Sequence, residues 1–133
     1  ETLQVRTGSC RDYALLMMEA VRTFGLAARF VSGYLYDSSV ARGAKKGTTV
    51  GAGETHAWLQ IYLPGAGWVE FDPTNGAVGG ANLIRVAVAR DPRQAVPLSG
   101  TFVGCPGDFI EMSVAVGDIV LKGQPVAVEV TAE

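Results

Sequence analysis

The chain has 133 residues, 48% of them hydrophobic and 18% charged, a balance that buries the core of a single domain and excludes a disordered chain. With 11 basic and 13 acidic residues the formal net charge is -2, so neither nucleic acid nor an anionic membrane surface is an expected partner. Two cysteines do not make a disulfide framework, which fits reduced thiols and a cytoplasmic setting, and no run reaches the roughly 18 apolar residues of a membrane span.

In chain order, the first strong signal is GSCRDYA at residues 8–14, followed by an apolar run. Ser9 is a good N-cap, Asp12 completes a capping-box-like pair, and Gly25 supplies a stop, so the pattern predicts a helix over residues 10–24. Its apolar positions occupy more than one face, and burial on several sides is expected. In LAARFVSGYLY, the residues Phe30, Val31, Tyr34, Leu35 and Tyr36 favour a strand with Gly33 as a bulge. Residues 37–53 are rich in Gly, Ser, Thr and charge and read as a long loop in which Lys45 and Lys46 are solvated.

THAWLQIYL and GWVEFDPT flank the turn signal Pro64-Gly65-Ala66-Gly67 and read as an antiparallel hairpin. His56, Trp58, Gln60 and Tyr62 share one face of the first strand; Trp68, Glu70 and Asp72 share one face of the second. If the turn holds an odd number of residues, His56 and Asp72 become diagonal neighbours on one side of the sheet, with backbones about 7 to 8 Å apart. After Asn75 come a Gly-rich link, a strand at Leu83–Ala89, the irregular stretch DPRQAVPLSG, and two further strands in EMSVAVGDIVLKGQPVAVEV.

Three residues carry a chemical pattern. Cysteine attacks as the thiolate, and its thiol is mostly protonated at neutral pH unless something lowers its pKa. Cys10 opens the predicted helix, where unpaired N–H groups and the helix dipole favour an anion and could also hold an oxyanion. His56 is the only histidine in the chain. Alone it reads as structural, and Asp72 before Pro73 alone reads as a turn residue. Together they supply nucleophile, base and orienting carboxylate in the order Cys, His, Asp. Cys105 reads as a structural or surface thiol, Asp12 as a cap, and Trp58 as core or cleft wall. One histidine and two distant cysteines lack metal-ligand spacing, so no metal site is expected, and no cofactor is implied.

GSCRDYA, ARFVSGYL, THAW and GWVEFDPTN resemble the bacterial transglutaminase-like domain, part of the papain-like cysteine superfamily that includes cysteine proteases; IRVAVARDPRQAVPLSGTFVG resembles the stretch that follows. The resemblance implies Cys10 as nucleophile, His56 as base and acid, and Asp72 as the residue that orients the imidazole. It also implies an α+β fold with the catalytic helix packed on an antiparallel β-sheet. Similar proteins usually carry a β domain and helices before the GSC block, so residues 1–133 read as a single catalytic core without that upstream domain. The expected activity is acyl transfer from a protein or peptide amide through a thioester, leaning to hydrolysis (protease or amidase) over transfer to an amine. The alternative is a non-catalytic binding or scaffold module that keeps the fold.

Overall fold

Ser9 sets the start of the main helix in the computed structural model, which describes residues 2–36, 54–101, 103–105, 114–119 and 127–132. A short helix, α1 (Thr2–Val5), precedes α2 (Cys10–Thr23). The Ser9 N–H donates to Asp12 Oδ2 at 2.7 Å while the Asp12 N–H donates to Ser9 Oγ at 3.4 Å, a capping box that satisfies amides the first turn leaves unpaired. Asp12 is thereby a cap, with its carboxyl held below the ordinary value by the Ser9 hydrogen bonds. Phe24 is the C-cap and Gly25 follows it.

Burial of α2 on several sides does not occur. Ala14 and Met18 are fully buried, but Leu15 is 39% and Phe24 81% exposed. One sheet packs on one stripe of the helix, and the described residues supply no second layer against its outer side.

That sheet has five strands in the order β4-β3-β2-β1-β5, every neighbouring pair antiparallel. They are β1 (Ala28–Leu35), β2 (Thr55–Leu63), β3 (Gly67–Asp72), β4 (Ala77–Val78) and β5 (Leu83–Ala89). The α2 stripe meets one face of it in a core of Ala14, Met18, Phe30, Ala57, Leu59 and Ile61. Burial of each large apolar side chain there contributes about 1.5–3 kcal/mol. The alternate residues of β2, among them Trp58 and Gln60, point to the opposite face and are also buried, as expected of a central strand covered on both sides. The register between β1 and β5 shifts at Ser32/Gly33. A Cβ on Gly33 would stand 2.0 Å from the Ile84 carbonyl oxygen and 2.8 Å from Trp58 Cη2, so only glycine admits this close approach.

Pro64, Gly65 and Ala66 form the loop of the β2–β3 hairpin, with Leu63 paired to Gly67 and the Ala66 N–H donating to the Leu63 carbonyl at 3.0 Å. Gly67, at φ 77°, takes the left-handed conformation that closes such a three-residue loop.

The Gly-rich link contains β4, which the sequence reading missed because two residues give no periodicity. The stretch expected to be irregular after β5 contains a 3-10 helix, Pro92–Gln94, capped by Asp91, and Ala95 enters the core at 3% exposure. Arg11 secures this segment: its guanidinium donates to the carbonyls of Pro92 at 2.7 Å and Ala95 at 3.1 Å and lies over the Phe30 ring. In the tail, β6 (Val114–Ile119) and β7 (Ala127–Ala132) pair antiparallel in a separate two-stranded sheet. The loop expected at 37–53, with Lys45 and Lys46, lies outside the described residues.

Candidate active site

His56 is the second residue of β2, and Asp72 is the last residue of β3. Because Leu59 pairs with Phe71 and Gln60 with Glu70, extending the ladder puts Trp58 opposite Asp72 and His56 one diagonal step away on the same face. The two side chains meet there, with His56 Nε2 2.8 Å from Asp72 Oδ2 and each side chain 1% exposed. A carboxylate in this bond can only accept, so Nε2 carries the hydrogen, and Nδ1 is the ring nitrogen left for another partner.

Asp72 is itself fixed by the residues that follow it. Its Oδ1 accepts from the main-chain N–H groups of Thr74 at 3.0 Å and Asn75 at 3.3 Å, and its Oδ2 accepts from Asn75 Nδ2 at 2.8 Å. This is the Asx-type turn that a carboxylate before proline favours. Burial works against the charged carboxylate, but the hydrogen bonds of His56 and Asn75 outweigh it and keep its pKa below the ordinary range.

Cys10 begins α2 and lines one cavity with His56, and the main-chain N–H groups of Ala57 and Arg11 favour its thiolate. Partial burial disfavours the thiolate; the His56 hydrogen bond and charge, with those two amides, overcome it and hold the thiol below its ordinary value. Burial likewise disfavours the imidazolium, but the hydrogen bonds and negative charge of Asp72 and Cys10 raise His56 from 6.5 to about 9. The arrangement therefore favours the thiolate of Cys10 and the imidazolium of His56 over their neutral forms, with a buried carboxylate holding the ring.

The structure thus brings Cys10 and His56 to one cavity and joins His56 to Asp72 by a hydrogen bond. Cys10 and His56 lie at a cavity of about 420 Å³ that Tyr13, Glu54 and Thr74 also line. Trp58 is not a wall of that cavity: it is fully buried and stacks behind the imidazole, with ring centroids 6.0 Å apart and 25° between planes. The reason is the alternation of β2, which puts Trp58 on the same side as His56 but one step further into the sheet. Cys105 is exposed, and no disulfide joins it to Cys10. Sequence reasoning missed Asn75 as a partner of Asp72, although the DPTN stretch carries the Asx-turn signal.

Among the described residues, no group of three or more His, Cys, Asp or Glu side chains is arranged to hold a metal ion, and no helix is long and apolar enough to cross a membrane.

A family model described as the transglutaminase-like superfamily matches residues 1–73. The chain is 39% identical over 97 residues to an uncharacterized protein of Mycobacterium leprae, a match covering 73% of this chain and 33% of that protein. It is 34% identical over 121 residues to an uncharacterized protein of Mycobacterium tuberculosis, covering 87% and 38% respectively. A protein of Pseudomonas aeruginosa named protein-glutamine gamma-glutamyltransferase is 35% identical over 69 residues, or 52% of this chain and 10% of that protein. The chain spans about a third of the length of the mycobacterial relatives. No solved structure matches it.

Proposed function

The chain belongs to the transglutaminase-like superfamily, and from that premise we propose that it catalyses thiol acyl transfer with Cys10 as nucleophile, His56 as general base and acid, and Asp72 as the group that orients the imidazole. The observation that carries the reading is Cys10 at the first position of a capped helix, at one cavity with a histidine that Asp72 holds by a hydrogen bond at 2.8 Å.

In the first half-reaction the Cys10 thiolate attacks the carbonyl carbon of a protein or peptide amide. First-turn amides of α2 stabilise the oxyanion. His56 then gives its proton to the amide nitrogen as the C–N bond breaks, leaving a thioester on Cys10 and a free amine. In the second half-reaction His56, now neutral, takes a proton from water as the water oxygen attacks the thioester. The C–S bond breaks, the acid product leaves, and the thiolate–imidazolium pair returns. The reading is of one catalytic core, with water as the acceptor. An amine acceptor follows the same steps and gains support from the relative named protein-glutamine gamma-glutamyltransferase.

Iodoacetamide at low excess tests the nucleophile: rapid labelling at mildly acidic pH should vanish in Cys10→Ala and persist in Cys105→Ser. Unchanged fast labelling of Cys10→Ala overturns the assignment. A Cys10 thiol that reacts with the pH dependence of a free thiol instead supports a binding module without turnover. Incubation with dimethylated casein, with and without a fluorescent primary amine, separates the acceptors, because water deamidates or cleaves the protein whereas the amine is incorporated.

A further inference from the structure

On the same face of the sheet as His56, one carboxylate gathers donors from several strands. Glu70 of β3 lies directly opposite Gln60 of β2. Glu70 Oε2 accepts from the Trp58 indole Nε1–H at 2.6 Å, and Oε1 accepts from Gln60 Nε2 at 2.6 Å and from Arg85 of β5 at 3.4 Å. Gln60 Oε1 in turn accepts from Arg29 Nε of β1 at 2.7 Å. The Glu70 side chain is only 15% exposed, and a largely buried carboxylate is costly unless its lone pairs are satisfied.

The consequence falls on Trp58. Its indole is fixed at one end by the Glu70 hydrogen bond and at the other by the space Gly33 leaves beside Cη2. The plate held in this way stacks on His56. The hydrogen bond to Asp72 fixes the position of Nε2, and the tilt of the ring about that bond is set by what packs on its faces. The indole lies nearly parallel to the imidazole, with ring centroids 6.0 Å apart, and limits that tilt.

We propose that Glu70 is a positioning residue that acts through Trp58 on His56, keeping the imidazole in the plane that faces Cys10. Glu70 does not line the cavity, and its hydrogen bond to the indole is the contact that leads toward His56. The inference rests on the proposed thiolate–imidazolium pair and extends it to a residue two steps removed.

The test measures the second-order rate of Cys10 alkylation by iodoacetamide in a Cys105→Ser background, with near-ultraviolet circular dichroism to follow folding. In Glu70→Ala the rate at about pH 6 should fall roughly tenfold, while the rate at about pH 9, where a thiol ionises with little help, should change less than about twofold. Glu70→Gln keeps an acceptor for the indole and should stay within about threefold of the parent at the lower pH. Trp58→Phe keeps a ring but lacks the N–H, so it should match Glu70→Ala, and Glu70→Ala added to Trp58→Phe should cause no further loss.

Parental reactivity of Glu70→Ala at the lower pH, equal losses in Glu70→Gln and Glu70→Ala, or additive effects of the two sites would each overturn the proposal. If Glu70→Ala does not fold, Glu70→Gln and Trp58→Phe decide it by the same measurement: a parental rate in the first with a tenfold loss in the second supports it, and any other pairing overturns it. A parent protein that already reacts slowly at the lower pH would sink the catalytic reading itself, a result distinct from a reactive parent that is indifferent to Glu70.

Discussion

Gln60 and Glu70 stand directly opposite each other in the β2–β3 ladder, and this pairing fixes His56 and Asp72 on one face of the sheet. Side chains alternate with period two, so a slip of one residue would send His56 and Asp72 to opposite faces. The three-residue loop from Pro64 to Ala66 holds that register, and the consequences of the resulting buried pair are measurable.

Asp72→Ala should leave the imidazole of His56 buried without its acceptor. Removing one member of such a pair costs about 3 kcal/mol or more. Asp72→Asn keeps the shape but only one accepting oxygen, so its NH2 meets either His56 and the Asn75 side chain or the Thr74 and Asn75 N–H groups, and it should cost about 1–3 kcal/mol while also removing the charge that raises His56. Urea unfolding midpoints check both, and an Asp72→Ala midpoint equal to the parent's would show that the bond at 2.8 Å does not stabilise the fold.

The pair also sets a pH dependence. His56 is raised from 6.5 to about 9, so its contribution to stability is complete below its unfolded value and is lost as pH rises through about 9. Asp72 is lowered from 3.8, so its contribution is present above that value and is lost as pH falls through the depressed one. The Cys10 thiol, lowered from 9.0, has the opposite alkaline slope, and Cys10→Ala removes it. In that variant stability should decline on the alkaline side by an amount of order 2 kcal/mol. Denaturant unfolding at stepped pH should show this decline, and His56→Gln should flatten it.

Gly33→Ala should be among the most damaging single-methyl additions in the sheet. The new carbon would meet the Ile84 carbonyl at 2.0 Å and Trp58 Cη2 at 2.8 Å, and overpacking against backbone costs about 3 kcal/mol. An unchanged thermal midpoint would mean that β5 can shift away from β1 without loss.

Ser9→Ala should remove the capping box just before Cys10. The expected cost is about 1 kcal/mol, read from thermal unfolding. Fraying of the first turn also moves the Arg11 N–H away from the sulfur, so alkylation of Cys10 at mildly acidic pH should slow a few-fold. A stability loss without any change in alkylation would separate the cap from thiol activation.

Much of this was readable from the chain because the signals are local. Ser9 and Asp12 announce the helix start, and the structure ends the helix at Thr23 with Phe24 as its cap, one residue short of the expected limit. Alternation in THAWLQIYL and GWVEFDPT gives the hairpin. The expectation that an odd loop puts His56 and Asp72 on one face agrees with the observed pairing of Leu63 and Gly67. Where the reading went astray, the missing information was not local: apolar residues around α2 suggested burial on several sides, yet Leu15 and Phe24 are exposed. Ala95 looked like loop until the Arg11 guanidinium drew its segment onto the core.

By itself, the sequence determined the capped helix that begins at Cys10, the hairpin, and which residues of each strand share a face, because capping and two-residue alternation are decided within a few neighbouring positions. The tertiary structure alone decided that α2 begins beside the start of β2, so that Cys10 and His56 line one cavity, and that Glu70 collects Trp58, Gln60 and Arg85. Those contacts depend on strand order and on how helix and sheet pack, and packing joins residues whose distance along the chain carries no record of their meeting.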